Sequence, residues 1–284
     1  MSGKEPQVCP VPLGEIEPHA GLLAVPPDGQ LLYKIMTVEN FLRSVRSHYL
    51  HFNRVDRYDD RPDADEHDSQ QLPTDKRRSE LIRFEKAPQF SAADYYNLSR
   101  ARTYACCFSL VNLPYIWDNY GTDSTKGKVC VIFVFGKLRA TLNRTLQSGG
   151  AVVLSNGKRC CQIFSVDYGN IRYVHWATEQ AIGEYLPNPI AYTYMKDVRF
   201  SEENEFRISL SALGLGQFIV ANGRPLNFPP DLHLGFDFRG AIADGTIHEI
   251  LRSPETDTEF LAAELKKLGM NMRDGGANAM GEKR

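Results

Sequence analysis

The chain reads as an α+β fold, a mixed or mainly antiparallel central sheet with flanking helices, and three observations predict it. Short stretches rich in β-branched and aromatic residues, among them 129–135 and 205–210, are interspersed with segments whose apolar residues recur at helical spacing. Strands and helices do not alternate strictly, which argues against a wound parallel sheet. At 42% hydrophobic content, 284 residues can bury a sizeable core.

Residues 1–30 are rich in Pro, Gly and Glu and end in Pro26-Pro27-Asp28-Gly29, which predicts an extended arm closed by a turn. A single domain is expected over 31–270. Leu31-Leu32-Tyr33-Lys34-Ile35-Met36 predicts a short buried strand, and Thr37 caps a helix on which Val38, Phe41, Leu42 and Val45 share one face. Residues 49–52 give the second strand. Between Arg54 and Thr74 the chain turns acidic, holding Asp56, Asp59, Asp60, Asp63, Asp65, Glu66 and Asp68 with Pro62 and Pro73, so a long surface loop is expected. Helices follow near 75–87 and 91–103, then a strand over 103–109. Asn112 caps a short helix carrying Tyr115, Ile116, Trp117 and Tyr120, which Gly121 ends. A central strand is expected over 129–135, and a helix over 137–146 that Gly149-Gly150 stops. Strands over 160–167 and 170–175, a helix over 176–186 and a strand over 190–194 come next, and 205–210, 217–220 and 246–251 complete the sheet. Pro254 and Thr256 open a last helix with Phe260, Leu261, Leu265 and Leu268 in one stripe before Gly269. Residues 271–284, without periodicity, are expected to be a mobile tail.

Lys and Arg number 33 and Asp and Glu 35, a formal charge of −2 with both signs interspersed, so no long-range field favours nucleic acid or an anionic membrane. Cys9, Cys106, Cys107, Cys130, Cys160 and Cys161 include two adjacent pairs and no C-x-x-C, which predicts a reducing cytoplasm and no structural metal. No basic segment followed by an apolar core opens the chain, and no window approaches a membrane span, so a soluble, unexported protein is expected.

The best candidate for chemistry is Glu203-Asn204-Glu205-Phe206-Arg207. Past Asn204, Phe206, Ile208 and Leu210 share one strand face and Glu205, Arg207 and Ser209 the other. Glu203 is expected on the side of Glu205, which brings two carboxylates within about 7 Å, close enough to shift one another's pKa or to divide two roles. Spacing alone favours a blander arrangement, a solvent-facing edge with an ordinary ion pair. The loop acids Asp56, Asp59, Asp60 and Asp63, with His51 or His67, offer metal-dependent phosphodiester cleavage as a second chemistry, although their crowding in one Pro-containing loop favours a hydrated segment. Trp117 and Tyr120, three apart on a short helix, are expected to pack in the core, and Lys34 is an ordinary strand residue unless its ammonium faces a cavity. Cys106, Cys107, Cys160 and Cys161 sit in apolar strands, where thiols are inert packing. His175, His233 and His248 are read as structural.

An ordered set of motifs runs through the chain: Leu32-Tyr33-Lys34, Arg54-Val55-Asp56 to Asp60, Cys107-Phe108-Ser109, Trp117 with Tyr120, Gly127, and Lys196…Phe200…Glu203-Asn204-Glu205-Phe206-Arg207. Over residues 30 to 270 this set resembles a widespread bacterial and phage-associated domain of unknown function, numbered 2971. Arg61-Pro62-Asp63-Ala64 departs from that family's Pro-Phe-Glu-Gly. The layout is similar to that of ADP-ribosyltransferases, which place a basic residue or His on a first strand, Ser or Tyr on a second and a Glu-x-Glu or single Glu on a later one. The matching positions are Lys34, Ser109 and Glu203 or Glu205. The resemblance implies NAD as substrate, with Glu205 anchoring the ribose and stabilising an oxocarbenium-like state. Glu203 then orients the acceptor nucleophile and Ser109 supports the catalytic Glu. Lys34 or Arg54 holds the adenosine or pyrophosphate part, Trp117 or Tyr120 stacks on a ring, and Tyr33, Asp56 and Arg207 join the NAD site. Arg54, Asp56 and Asp60 are expected to form a buried clamp fixing the loop beside it. The implied acceptor is a macromolecule, protein or nucleic acid, and the implied setting is phage defence or toxin conflict. A metal-dependent nuclease and a non-catalytic partner-binding or immunity protein stay open as alternatives.

Overall fold

The computed structural model describes residues 16–17, 21–60, 65–147, 152–154, 159–160, 163–179, 188–213 and 226–270. The expected strand over 217–220, the end of the helix over 176–186, the Gly149-Gly150 stop and the tail over 271–284 lie outside them.

β1 (Leu31–Thr37), α1 (Val38–Ser47) and β2 (Tyr49–Arg54) form as the periodicity predicts. Thr37 accepts the Asn40 amide at 3.1 Å as N-cap, and His48 ends α1 in the left-handed region at φ 53°. A 3-10 turn (Val55–Asp60) leads to α2 (Pro73–Ser79), the hairpin β3 (Arg83–Phe84) and β4 (Ala87–Ser91), and α3 (Ala92–Arg100). The helix expected over 75–87 therefore stops at Ser79. Pro88 pushes Ala87 into extended backbone, and a Ser91–Asp94 capping box opens α3 afresh.

β5 (Thr103–Ser109) is followed by α4 (Pro114–Asn119), whose N-cap is Leu113. Asn112, expected to cap it, instead accepts the Trp117 indole N–H at 2.8 Å. Then come β6 (Lys128–Val134), α5 (Phe135–Gln147), β7 (Val152–Leu154), β8 (Arg159–Cys160), β9 (Ser165–Asn170) and β10 (Arg172–Val174). The strand expected over 190–194 is a helix, α6 (Pro189–Thr193). Proline at its first position and Asn188, which accepts the Ile190 amide at 3.0 Å, start a helix that β-branched Ile190 and Thr193 do not prevent. β11 (Met195–Asp197) and a second 3-10 turn (Val198–Glu203) precede β12 (Glu205–Ser211), β13 (Asp231–Gly235), α7 (Phe238–Ala243), β14 (Ile247–Arg252) and α8 (Thr258–Lys267). The alternation of Leu232 and Leu234 with Asp231 and His233 marks β13, a strand the sequence reading passed over.

Among the described residues the central sheet has ten strands, every pairing in it antiparallel, with β5 at its hub. One edge of β5 pairs along its whole length with β12, and β9 pairs with the far side of β12. The other edge is divided: Tyr104 and Ala105 pair with β2, and Ser109 pairs with β1. The sheet thus splits into a β14-β6-β1 wing and a β2-β13-β7-β8 wing on one strand.

One face is apolar. Phe108, Phe133, Phe206, Ile208 and Leu210 pack there under Phe41 and Leu42 of α1, Leu138 and Leu142 of α5, Phe238 of α7 and Leu261 of α8. Each such side chain contributes about 1.5–3 kcal/mol on full burial. The opposite face carries the polar residues of β5 and β12 and is covered by α2, α3, α6 and the parallel pair β10–β11. Gly127, one of the ordered motif residues, has φ 84°, and a Cβ there would come within 2.5 Å of the Thr256 backbone. Part of the expected extended arm is docked: the Ile16 and Ala24 carbonyls accept from Val166 and Asn170 of β9, and Ile16 is buried. No helix among the described residues is long and apolar enough to cross a membrane.

Candidate functional site

The pairing of β12 with β5 sets Glu205 opposite Ser109 and Arg207 opposite Cys107. Tyr33 of β1 pairs with Ser109 from the other side. Tyr33, Ser109 and Glu205 therefore form one row across three adjacent strands, all on the polar face. Phe206, Phe108 and Lys34 alternate onto the other face.

Glu203 reaches Glu205 by a route the alternation did not foresee. It ends the second 3-10 turn, and Asn204, at φ 45°, turns the chain into β12 through the left-handed region that Asn tolerates. The two carboxylates then converge on a lysine from β11. Lys196 Nζ donates to Glu203 Oε2 at 2.5 Å and to Glu205 Oε2 at 3.2 Å. Arg207 holds Glu205 from the other side, Nε to Oε1 at 2.6 Å and Nη2 to Oε2 at 3.1 Å. Its remaining N–H groups go to both carboxylate oxygens of Asp68, each at 2.6 Å, and to the Thr193 carbonyl at 2.9 Å. The solvent-facing edge with an ordinary ion pair, favoured on spacing alone, is overturned. Side-chain exposure rises from 1% at Arg207 and 4% at Glu205 to 9% at both Lys196 and Glu203, so the network is buried throughout and comes nearest to solvent at its Lys196–Glu203 end.

Burial and the Glu205 charge push the Glu203 carboxyl up to about 7, against the pull of Lys196. Burial would raise Glu205 too, but Arg207 and Lys196 prevail and hold it well below the usual carboxylate range. The same two carboxylates offset the burial of Lys196 and keep its ammonium charged. One carboxyl thus exchanges its proton near neutrality while its neighbour stays anionic. With Glu203 protonated, Lys196 and Arg207 balance Glu205 and Asp68.

Tyrosines enclose the network. The Tyr120 hydroxyl lies against Glu203, Tyr115 stands within its field, and the Tyr173 hydroxyl accepts the Glu205 amide at 2.8 Å. Tyr58 packs under Arg207 and contacts the Cys107 thiol at 3.4 Å. Lys196 also sits 5.0 Å from the centre of the Phe200 ring. Burial and Glu205 raise the Cys107 thiol, which is inert as expected, and burial likewise pushes Cys130 up to about 12.

The other sequence candidates divide. Ser109 is beside Glu205, yet its hydroxyl, 2.8 Å from the Val111 and Glu203 carbonyls, supports the backbone of Glu203 rather than a carboxylate. Trp117 is core, as its spacing predicts. Lys34 does not join the acids: its ammonium donates to the Cys107 carbonyl at 3.0 Å and stands over Phe108 on the apolar face. Arg54 follows Phe52 onto that same face, bonding Asp56 at 2.6 Å and the Phe228 carbonyl. The Arg54–Asp56 clamp exists, half-buried and away from the acids; Arg61-Pro62-Asp63-Ala64 and the Asp60 side chain lie outside the described residues.

The loop acids are not a hydrated cluster throughout. Asp65 and Asp68 are buried, Asp65 accepting the Asp197 amide at 2.7 Å and Asp68 gripping Arg207. With Asp56 on Arg54, these acids point to three different partners rather than to one cation. Sequence reasoning missed Asp68 as a site residue. An acid on a turn, 139 positions from its arginine, carries no local signal of that contact.

No protein-family model and no curated protein matches the chain. A solved structure, Thermus sp. 2.9 DarT in complex with ADP-ribosylated ssDNA, is similar at 10% identity and a TM-score of 0.32, over 88% of this chain and 94% of that one.

Proposed function

We propose that this chain is an ADP-ribosyltransferase-like enzyme that uses NAD as substrate and transfers its ADP-ribosyl group to a macromolecular acceptor, protein or nucleic acid. Membership in the phage-associated domain of unknown function, with its setting in conflict systems, belongs to the same proposal. The observation that carries it is the row Tyr33–Ser109–Glu205 across β1, β5 and β12, with Glu203 held beside it on a shared ammonium. First strand, second strand and Glu-bearing strand are adjacent and present one face, with Tyr33 in the first-strand position in place of Lys34.

Within this reading the two acids exchange the roles that the resemblance implies. Every oxygen of Glu205 is engaged by Arg207 or Lys196, so Glu205 is a positioning residue. Glu203, at the solvent side, is the carboxyl available to substrate. Cleavage of the nicotinamide–ribose bond builds positive charge on the ribose, which an ionised Glu203 stabilises in a site of low polarity. The acceptor hydroxyl or amine then loses its proton to the same carboxyl, whose pKa near 7 suits the exchange. Tyr115 and Tyr120 stand beside Glu203, with the Tyr120 hydroxyl against its carboxyl.

The test is nicotinamide release from NAD, followed by chromatography with and without a mixed protein and oligonucleotide acceptor pool. Glu203→Gln keeps the shape and removes the charge, and is expected to lower the rate about 10²–10⁴-fold. A wild-type protein that neither consumes NAD nor is thermally stabilised by it would leave the network a structural one.

A further inference from the structure

We propose that a second ligand site lies behind Arg207, in the cavity between α2, α3 and α6, and that it binds a small phosphorylated sugar. The proposal goes beyond the NAD reading and does not depend on it. The cavity holds about 220 Å³, below the range of drug-sized sites and suited to one ring with one phosphate. Its floor is Tyr96, Ser99, Tyr192 and Thr193, all buried, and Lys76 and Asn97 form an exposed lip.

Three features point to an anionic, acceptor-rich occupant. Lys76 forms no ion pair among the described residues and can reach a phosphate at the mouth as a point charge, with the Arg100 guanidinium on the facing wall. The Gln71 amide nitrogen is buried at the wall, close enough to the Tyr192 hydroxyl to interact with it but outside good hydrogen-bond geometry, a donor that a ligand oxygen would satisfy better. Of the two acids near the floor, Asp68 is paired with Arg207 and Asp75 accepts the Tyr192 hydroxyl at 2.9 Å, so Lys76 and Arg100 are the charged groups that line the cavity itself. The Ser99 hydroxyl donates to the Tyr95 carbonyl at 2.8 Å, so its oxygen can still accept from a sugar hydroxyl.

The wall shared with the acid network gives the site a consequence. Ser69, held at φ 59°, and Thr193 line the cavity and touch Arg207 on their other side, the Thr193 carbonyl at 2.9 Å. Arg100 donates to the Asp68 carbonyl at 3.1 Å. An occupant therefore presses on the turn that supplies Asp68 to Arg207.

The experiment titrates the full chain with ribose 5-phosphate, inorganic phosphate and ribose, reading melting temperature and calorimetric heat. Ribose 5-phosphate is expected to give a saturable rise, ribose none, and inorganic phosphate a weaker one. Lys76→Glu should weaken ribose 5-phosphate binding about tenfold, and Asn97→Trp, which fills the mouth from an exposed helix position, should abolish it. Glu203→Gln should leave binding intact, which separates this site from the acid pair whether or not NAD is turned over. No saturable shift up to roughly 10 mM, where even a Kd of about 1 mM is expressed, overturns the proposal. So does binding unchanged in both Lys76→Glu and Asn97→Trp, and equal affinity for phosphate alone overturns the sugar component.

Discussion

Two of the Arg–carboxylate clamps among the described residues, those of Arg54 and Arg207, behave as different objects. Arg54 meets Asp56 two residues away, through one bond of 2.6 Å, with 19% and 23% of the side chains exposed. Water can still serve what the pair leaves unsatisfied, so its contribution is of the order of a surface pair, about 0–1 kcal/mol. Arg207 is 1% exposed and has no water to fall back on. Each of its five N–H groups has a protein acceptor, drawn from β12, from α6 and from a turn far away in sequence. The lesson is that burial, not the pair of residue types, turns an ion pair into a network in which every member is needed.

The sharpest way to break this contrast is Arg207→Leu, which strands Glu205 and Asp68 as buried charges. Urea denaturation should show a loss of about 3–5 kcal/mol, and a loss below about 1 kcal/mol would mean the network is looser than its distances. Tyr192→Phe leaves the buried Asp75 without its hydroxyl donor and should cost about 1–3 kcal/mol in the same assay. Arg54→Ala, at the other clamp, should cost about 1 kcal/mol or less; an effect equal to that of Arg207 would erase the distinction.

The last contrast is a slope in pH rather than a fixed loss. The Glu203 carboxyl is raised from 4.5 to about 7, so its contribution to stability is present in full below about pH 4.5 and is lost as pH rises through 7. Glu205 has the opposite sign: depressed in the fold, it stabilises above about pH 4.5, and this is lost on acidification. Glu203→Gln, which mimics the protonated form, should therefore gain stability relative to the parent between pH 5 and 8. A parallel pair of stability curves would show that Glu203 titrates normally. If Glu203 works as a carboxylate, NAD turnover should rise over the same interval.

Several features of the site were readable because they are local. The alternation past Asn204 gives β12 and separates Glu205 and Arg207 from Phe206. Thr103 to Ser109 and Leu31 to Met36 are strands by composition, and once they pair, Tyr33, Ser109 and Glu205 fall into one row. Lys34 was misplaced because membership of a motif says nothing about parity: one position from Tyr33, it faces the opposite side of the sheet. Asp68 and Asp65 were read as hydrated because their stretch is acidic and Pro-containing, and acidity does not report what folds over it.

What the sequence by itself determined, then, is the α+β class, the identity of most strands and helices, and the close spacing of Glu203 and Glu205. Each of these follows from backbone sterics, caps and apolar period within a dozen residues. Only the tertiary structure decided that these acids are inside, that Lys196 lies between them, and that Asp68 closes the far end of Arg207 from 139 residues away. Burial and partnership depend on which distant segments cover a face, and a charge's pKa depends on both, so neither is written in the local pattern that made the strand.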